Sequence, residues 1–214
     1  MTLTLLIVAG VFALGDWAAV HERMFRLEYV LKPLTLGLLI AAAISADLGV
    51  AQPWVVAALG FGLLGDIGLM LSHDGRADPP FIAGLAAFLV GHVCYLVGFL
   101  RVGVRSLDLL AGLLVVLGVA GLALPAVLRG ASRAAGRQFA VVVGAYSAVL
   151  SAMTVLAVGT GIVATAIGGA LFLASDTLIA RERFVAPVRR GPLLVIATYH
   201  LAQFLILVGL IKSR

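Results

Sequence analysis

Hydrophobic residues fill long uninterrupted runs of this chain, and polar residues are confined mainly to the short gaps between them. Each run is close to the ~20 residues with which an α-helix crosses a hydrocarbon core about 30 Å thick. Because the runs are continuously apolar rather than alternating, they disfavour a membrane β-barrel. The pattern predicts an all-α polytopic transmembrane helical bundle of about eight spans, at residues 2–20, 29–46, 54–72, 81–100, 108–128, 138–158, 161–180 and 192–212.

The connections between the predicted spans are short, and even the longest polar stretches, 129–137 and 181–191, could not fold alone. Short links place successive helices antiparallel and in contact, and the backbone within the membrane must satisfy its own hydrogen bonds. We therefore expect residues 1–214 to form a single transmembrane helical domain. Most of the 25 glycines are expected to let neighbouring helices approach closely.

The composition supports a membrane protein and excludes several other classes. The chain is 63% hydrophobic and 12% charged, with a mean hydropathy of +1.17, whereas soluble domains are about 45–50% apolar and about 25% charged. These values exclude a soluble domain and a disordered chain. Cys94 is the single cysteine, so an internal disulfide framework is excluded as well.

The net charge of +5 could suggest a nucleic-acid partner, but the positions of the cations favour a membrane. Thirteen of the 15 cations are arginines, and nearly all lie in gaps between apolar runs. Alternate loops contain ten and four cations, which predicts that both termini lie outside the cytosol. The ten are Arg23, Arg26, Arg76, Arg129, Arg133, Arg137, Arg181, Arg183, Arg189 and Arg190, and the four are Arg101, Arg105, Lys212 and Arg214.

Ionisable residues within the spans indicate a functional site, because charges inside a membrane are costly and usually have a function. Three aspartates lie near the predicted cytosolic ends of their spans, and Asp66 is expected about 10 Å below that surface. One lysine and a polar face on the last span lie at similar depths. The residues that converge on this leaflet are Asp16, Lys32, Asp66, Asp176, Tyr199, His200 and Gln203.

Each of these residues also has a purely structural interpretation. Asp16 could be a solvated helix end, or a partner for Arg23 or Lys32. Lys32 could extend its ammonium group to the membrane interface. Asp66 and Asp176 could form a buried ion pair or an inter-helix hydrogen bond, and Tyr199 and Gln203 could each bridge helices.

His92 is predicted near the middle of the membrane, on a helix face shared with Gly84, Phe88 and Tyr95. The purely structural interpretation of this face is an aromatic stripe with one hydrogen-bonded histidine. The alternative is that His92 and Tyr95 contribute to the site.

Several chemistries lack their sequence signatures. The chain has no HExxH, GxSxG, Walker loop or CxxC motif. His92 and His200 are predicted at different depths, which disfavours a zinc site with three ligands at one level. Lys32 is too shallow for a retinal Schiff base. Carboxylate chemistry without a metal or other cofactor remains, because two aspartates in a medium of low dielectric constant favour sharing a proton.

Five sequence blocks resemble the YhhN-like family of lysoplasmalogenases, which are multi-span membrane proteins. The blocks occur in the family's order and cover most of the chain from residue 29 onward. They are YVLKPLT at 29–35, GLLGDIGLM at 62–70, FIAGLAAFLVGHVCY at 81–95, GALFLASDTLIA at 169–180 and TYHLAQ at 198–203, with Thr198, Tyr199, His200 and Gln203. The first span and Asp16 have no confident match.

The resemblance implies hydrolysis of the vinyl ether bond of a lysoplasmalogen, an alkenyl-glycerophosphoethanolamine or -choline, to a fatty aldehyde and a glycerophospho-head group. Asp66 and Asp176 would be the catalytic pair. The predicted substrate-binding residues are Lys32, His92, Tyr95, Tyr199, His200 and Gln203. The expected partners are a lysophospholipid substrate and the lipid bilayer, and the oligomeric state is left open.

Two other classes of function remain open from the sequence. A proton-coupled transporter would also use paired aspartates, with His92 and His200 in a relay, but it would need polar residues that reach the outer side. A scaffold or lipid-binding membrane protein would tolerate the change Asp66→Asn. Hydrolysis by purified protein in detergent would distinguish an enzyme from a transporter, because transport needs a sealed vesicle.

Overall fold

The computed structural model describes residues 1–72 and 78–213, and over these residues it contains seven α-helices, a short 3₁₀ turn at Gly49–Ala51 and no strand. All seven helices are long and apolar enough to cross a membrane. The predicted all-α polytopic bundle is therefore confirmed. The helices are α1 (Thr2–His21), α2 (Phe25–Ser45), α3 (Gln52–Met70), α4 (Pro79–Val102), α5 (Ser106–Gly159), α6 (Val163–Phe184) and α7 (Gly191–Lys212).

Helix α5 contributes two of the eight predicted crossings, because its backbone breaks at Ala135 and Gly136. Gly136 has φ of 85°, a left-handed conformation that glycine adopts without the steric cost of a Cβ atom. The two halves, α5a (106–134) and α5b (137–159), fold back on each other. The Arg105 N–H donates to the Gly159 carbonyl over 2.8 Å, joining the far ends of this helical hairpin.

Glycines bring neighbouring helices into backbone contact, as expected. A Cβ atom at Gly68 would lie 2.6 Å from the Cα atom of Gly84, so α3 and α4 could not pack this closely with larger residues. Helix α6 approaches α7 in the same way, since a Cβ atom at Gly168 would lie 2.9 Å from the Ala202 carbonyl oxygen. These contacts fix the helices that carry the two predicted catalytic aspartates.

The helix ends form two opposite faces. One face, here called the basic face, contains the connections at 21–25, 129–137 and 184–191 and the ends of α3 and α4 at Met70 and Pro79, and the other contains the start of α1 and the end of α7. Nine of the ten arginines counted on the predicted cytosolic side lie in or near the basic face, and Arg76 and Arg214 fall outside the described residues. The assignment of the basic face to the cytosol stays a prediction.

Among the helix boundaries that differ from the predicted ones, two change the depths of site residues. Helix α2 begins at Phe25 rather than at residue 29, and α6 continues to Phe184 rather than ending at residue 180. Lys32 and Asp176 therefore lie about one helical turn farther from their helix ends than the hydrophobic pattern predicts. The cause is that polar residues such as Arg26 and Arg183 extend the helices beyond their apolar part.

Candidate active site

A polar cavity of about 390 Å³ lies inside the bundle near the basic face. Helices α6 and α7 provide most of its wall, with smaller contributions from α1, α2, α3 and α4. The structure thus brings four of the predicted site residues to one cavity, and their roles there remain predictions. These residues are Lys32, Asp66, Asp176 and Tyr199.

Asp66 lies on α3, where it is buried and interacts electrostatically with the ammonium group of Lys32 on α2. Its carboxyl group and the hydroxyl group of Tyr199 interact electrostatically. Neither the Asp66 Oδ2 atom nor that hydroxyl makes a hydrogen bond of regular geometry among the described residues. Gly62, one helical turn earlier, leaves this region open, because a Cβ atom there would lie 3.0 Å from the Tyr199 hydroxyl oxygen. Asp66 and Tyr199 therefore place polar atoms beside the cavity.

Two ion pairs lie where the cavity approaches the basic face. Lys32 donates to Glu28 over 2.8 Å within α2, and Arg183 donates to Asp78 over 2.9 Å between α6 and the start of α4. Arg183 also donates to the Ser72 hydroxyl over 2.8 Å. This end of the cavity thus presents both cationic and anionic side chains, which suits a zwitterionic ligand.

Asp176 lies on α6 and is held by side chains from other helices. The Tyr146 hydroxyl on α5b donates to its Oδ2 atom, and the His92 Nε2 atom on α4 lies 3.7 Å from the same oxygen. The His92 ring contacts the rings of Tyr146 and Phe172 edge-on, with centroid distances of 5.4 and 4.8 Å. The sequence did not predict Tyr146, because no charged residue or matched motif marks its span.

The aromatic stripe around His92 is present, but the expected hydrogen bond of this histidine is not. Both ring nitrogens of His92 lack a hydrogen-bond partner among the described residues. The nearest polar group is the Asp176 carboxyl group at 3.7 Å. The structural interpretation of His92 is therefore wrong about its hydrogen bond. The structure places His92 beside Asp176, a predicted site residue.

Asp16 is fully buried in α1, so its interpretation as a solvated helix end is wrong. Both carboxyl oxygens lack a hydrogen-bond partner among the described residues, and the carboxyl group interacts electrostatically with Lys32. The reason is that α1 packs against α2 and α7 along this face, which the sequence of α1 alone does not show. The electrostatic partnership with Lys32 agrees with the other interpretation of Asp16.

The remaining predicted substrate-binding residues lie behind the cavity wall. Tyr95 donates to the Oε1 atom of Gln203, and the Trp17 Nε1–H donates to the Nδ1 atom of His200 over 3.2 Å. His92, Tyr95, His200 and Gln203 are almost completely buried and do not line the cavity. Their direct contact with substrate stays a prediction. Among residues 1–72 and 78–213, no group of three His, Cys, Asp or Glu residues could hold a metal ion.

The fold and the cavity together define a multi-pass integral membrane protein with two buried aspartates that line a cavity inside its helical bundle. A sequence model of the YhhN family matches residues 27–210. The chain belongs to the YhhN family. The matched region includes every predicted site residue and excludes Asp16.

A curated protein also resembles this chain. Lysoplasmalogenase TMEM86A from Bos taurus is 32% identical over 171 residues, which cover 72% of this chain and 63% of the bovine protein. The match thus spans somewhat less than two thirds of the bovine protein's length. No solved structure matches the chain.

Proposed function

We propose that this protein is a lysoplasmalogenase-like hydrolase that cleaves the vinyl ether bond of a lysophospholipid. Family membership and the printed name of the bovine relative support this reaction class. The observation that carries the proposal is that Asp66 and Asp176, buried on different helices, line one polar cavity within the membrane-spanning bundle. A buried pair of carboxyl groups is costly there and needs a functional reason.

The chemistry of a vinyl ether matches this pair. Hydrolysis begins with protonation of carbon, which forms an oxocarbenium ion, and water then adds to that ion. The reaction therefore needs one carboxylic acid that donates a proton and one carboxylate that stabilises the cation and orients water. Asp66 and Asp176 supply both groups in this proposal, and neither group has to come from a cofactor.

The location of the cavity suits the substrate. In a lysoplasmalogen the vinyl ether lies just below the polar head group, and the cavity lies inside the bundle next to the basic face. Lys32 and Tyr199 are proposed to contact the phosphate or the glycerol oxygens. The ion pairs of Lys32 with Glu28 and of Arg183 with Asp78 would surround a zwitterionic head group.

The test is aldehyde release from a lysoplasmalogen by the purified, monodisperse protein in detergent. Asp66→Asn and Asp176→Asn each keep the side-chain volume but remove the acid, so each should lower kcat by roughly a hundredfold to ten-thousandfold. Asp108→Asn is a matched control, since Asp108 lies in the first turn of α5 near the opposite face, partly exposed and outside the cavity. It should retain wild-type turnover.

Other outcomes would contradict the proposal. Near-wild-type turnover by either single variant would remove that aspartate from the mechanism. If the wild-type protein releases no aldehyde from lysoplasmalogens with ethanolamine or choline head groups, the hydrolase proposal fails. Uptake of protons by sealed vesicles that contain the protein would then support the transporter interpretation.

A further inference from the structure

A second, apolar cavity, here called the groove, adjoins the polar cavity between α4, α5 and α6. On α5a its wall is formed by one helix face, whose members recur with helical spacing at Ala120, Ala123, Leu124 and Val127. Leu85 on α4 and Leu173 on α6 face them. Almost all of the lining is hydrocarbon, in contrast to the mixture of charges around the polar cavity.

The groove and the polar cavity meet at a shared wall. Asp176, Phe88, Leu69, Phe81 and Ile179 line both spaces, whereas Asp66 and Lys32 line the polar cavity alone. Tyr146, which donates to Asp176, lines the groove alone. Asp176 is therefore the one carboxyl group that both compartments share among the described residues.

The groove has a volume of about 70 Å³, which admits only the start of a hydrocarbon chain. We propose that it holds the first carbons of the chain of the same single-chain lipid whose head group occupies the polar cavity. The reacting double bond then lies beside Asp176, and the rest of the chain extends into the bilayer. The inference rests on the proposed function and adds a second binding compartment to it. A single-chain lipid has one charged end and one apolar end, and the two adjoining compartments differ in the same way. Their shared wall then coincides with the join between the head group and the chain.

The half-buried side of the groove offers the chain a route from the bilayer. Ala120, Ala123 and Leu124 are each partly accessible, so α5a covers the groove only partially. A chain in the groove is also held in one orientation, which is a recognised source of rate enhancement.

This orientation assigns different roles to the two aspartates. In a vinyl ether the carbon that accepts the proton belongs to the chain side, and the carbon that water attacks carries the glycerol oxygen. Asp176, beside the groove, donates its proton to the chain-side carbon while the double-bond electrons form the new C–H bond. Asp66, on the head-group side, accepts a proton from the water that adds to the oxocarbenium carbon.

The remaining steps return both groups to their starting states. Asp66 gives its proton to the glycerol oxygen as the bond between carbon and that oxygen breaks. The hydroxyl proton of the hemiacetal passes to Asp176 as the aldehyde carbonyl forms. The net reaction consumes one water and releases one aldehyde and one alcohol.

The proposal is tested by substitutions that fill the groove with a large side chain. Ala123→Trp places an aromatic ring in the groove. Leu122→Trp is the matched control, because Leu122 is the neighbouring residue and is 86% exposed. The probes are saturated 1-alkyl lysophosphoethanolamines from octyl to octadecyl, which lack the vinyl ether and cannot be hydrolysed by this chemistry. Binding is measured as displacement of a fluorescent octadecyl lysophospholipid from the purified protein in detergent.

Ala123→Trp should weaken binding of the octyl and octadecyl probes by at least about tenfold, because its ring occupies the space of the carbons next to the head group in both. Glycerophosphoethanolamine, which has the head group without a chain, should keep its wild-type affinity. Leu122→Trp should change neither. The same loss is expected in kcat/KM for alkenyl substrates, and Ala120→Phe provides a second filled variant if Ala123→Trp is not monodisperse. Equal effects with and without a chain, or none, would overturn the groove proposal.

The outcomes separate this proposal from the proposed function. A loss of probe binding that depends on the presence of a chain, without any aldehyde release by the wild-type protein, would contradict the hydrolase and retain the groove. Aldehyde release that is insensitive to groove filling at every chain length would contradict the groove and retain the hydrolase.

Discussion

Asp66 and Asp176 line the same cavity, yet their surroundings come from different parts of the bundle. Around Asp66, helices α1, α2 and α7 provide the buried Asp16, the ammonium group of Lys32 and the hydroxyl of Tyr199. Around Asp176, helices α4 and α5b provide aromatic rings, the donating hydroxyl of Tyr146 and the imidazole of His92. One region is charged, and the other is aromatic and adjoins the groove.

The two aspartates are chemically identical, and their neighbours differ in kind. The Lys32 cation beside Asp66 and the Tyr146 hydroxyl that donates to Asp176 each stabilise a carboxylate at their position. The proposed division of labour, in which Asp176 is the acid and Asp66 the carboxylate, therefore rests on the position of Asp176 beside the groove.

The largest expected effect tests whether the two regions act as one unit. The double variant Asp66→Asn/Asp176→Asn should lose little more activity than either single variant, which itself loses roughly a hundredfold or more, because residues that act together are strongly non-additive. Initial rates of aldehyde release give the comparison. Losses that multiply would mean that the two carboxyl groups act independently.

A smaller effect is expected from the hydroxyl that positions Asp176. Tyr146→Phe keeps the aromatic ring and removes the hydrogen bond, so kcat should fall about tenfold to a hundredfold with KM nearly unchanged. Tyr29→Phe is the matched control, because the Tyr29 hydroxyl donates to the Met70 carbonyl outside the cavity. A rise in KM with unchanged kcat would show that Tyr146 contributes to binding rather than to positioning Asp176.

The cation beside Asp66 should have an effect of a different kind. Lys32→Gln removes a charge that can contact the head-group phosphate, so KM should rise about tenfold. Lys212→Gln, at the exposed end of α7, should leave both constants unchanged. An unchanged KM in Lys32→Gln would exclude Lys32 from head-group binding, and a loss confined to kcat would assign it to Asp66 instead.

The smallest expected effect concerns the break that directs α5b, and with it Tyr146, back towards Asp176. Gly136→Ala places a Cβ atom on a backbone with φ of 85° and should destabilise the protein by about 1–3 kcal/mol. Gly118→Ala adds the same methyl group in a helical segment with open space and should be neutral or slightly stabilising. Thermal unfolding in detergent measures both, and equal melting temperatures would contradict the argument.

Much of the fold was determined by the sequence alone. Continuous apolar runs of membrane-spanning length admit few structures other than helices, because backbone polar groups have no water to bond inside a bilayer. The same reasoning predicted Lys32, Asp66, Asp176 and Tyr199 as site residues, because polar residues stand out in such apolar runs. It also predicted eight crossings, and the break at Gly136 accounts for two of them within the single helical element α5.

Which side chains surround each aspartate depends on tertiary packing, which the sequence pattern does not show. Tyr146 lies 30 residues from Asp176, and nothing in its span marks it as a partner. Likewise, α1 looks like an ordinary apolar helix with a polar end, yet packing against α2 and α7 buries Asp16 completely. The physical reason is that hydropathy records the preference of each segment for lipid, whereas neighbours depend on how the helices rotate and pack against one another.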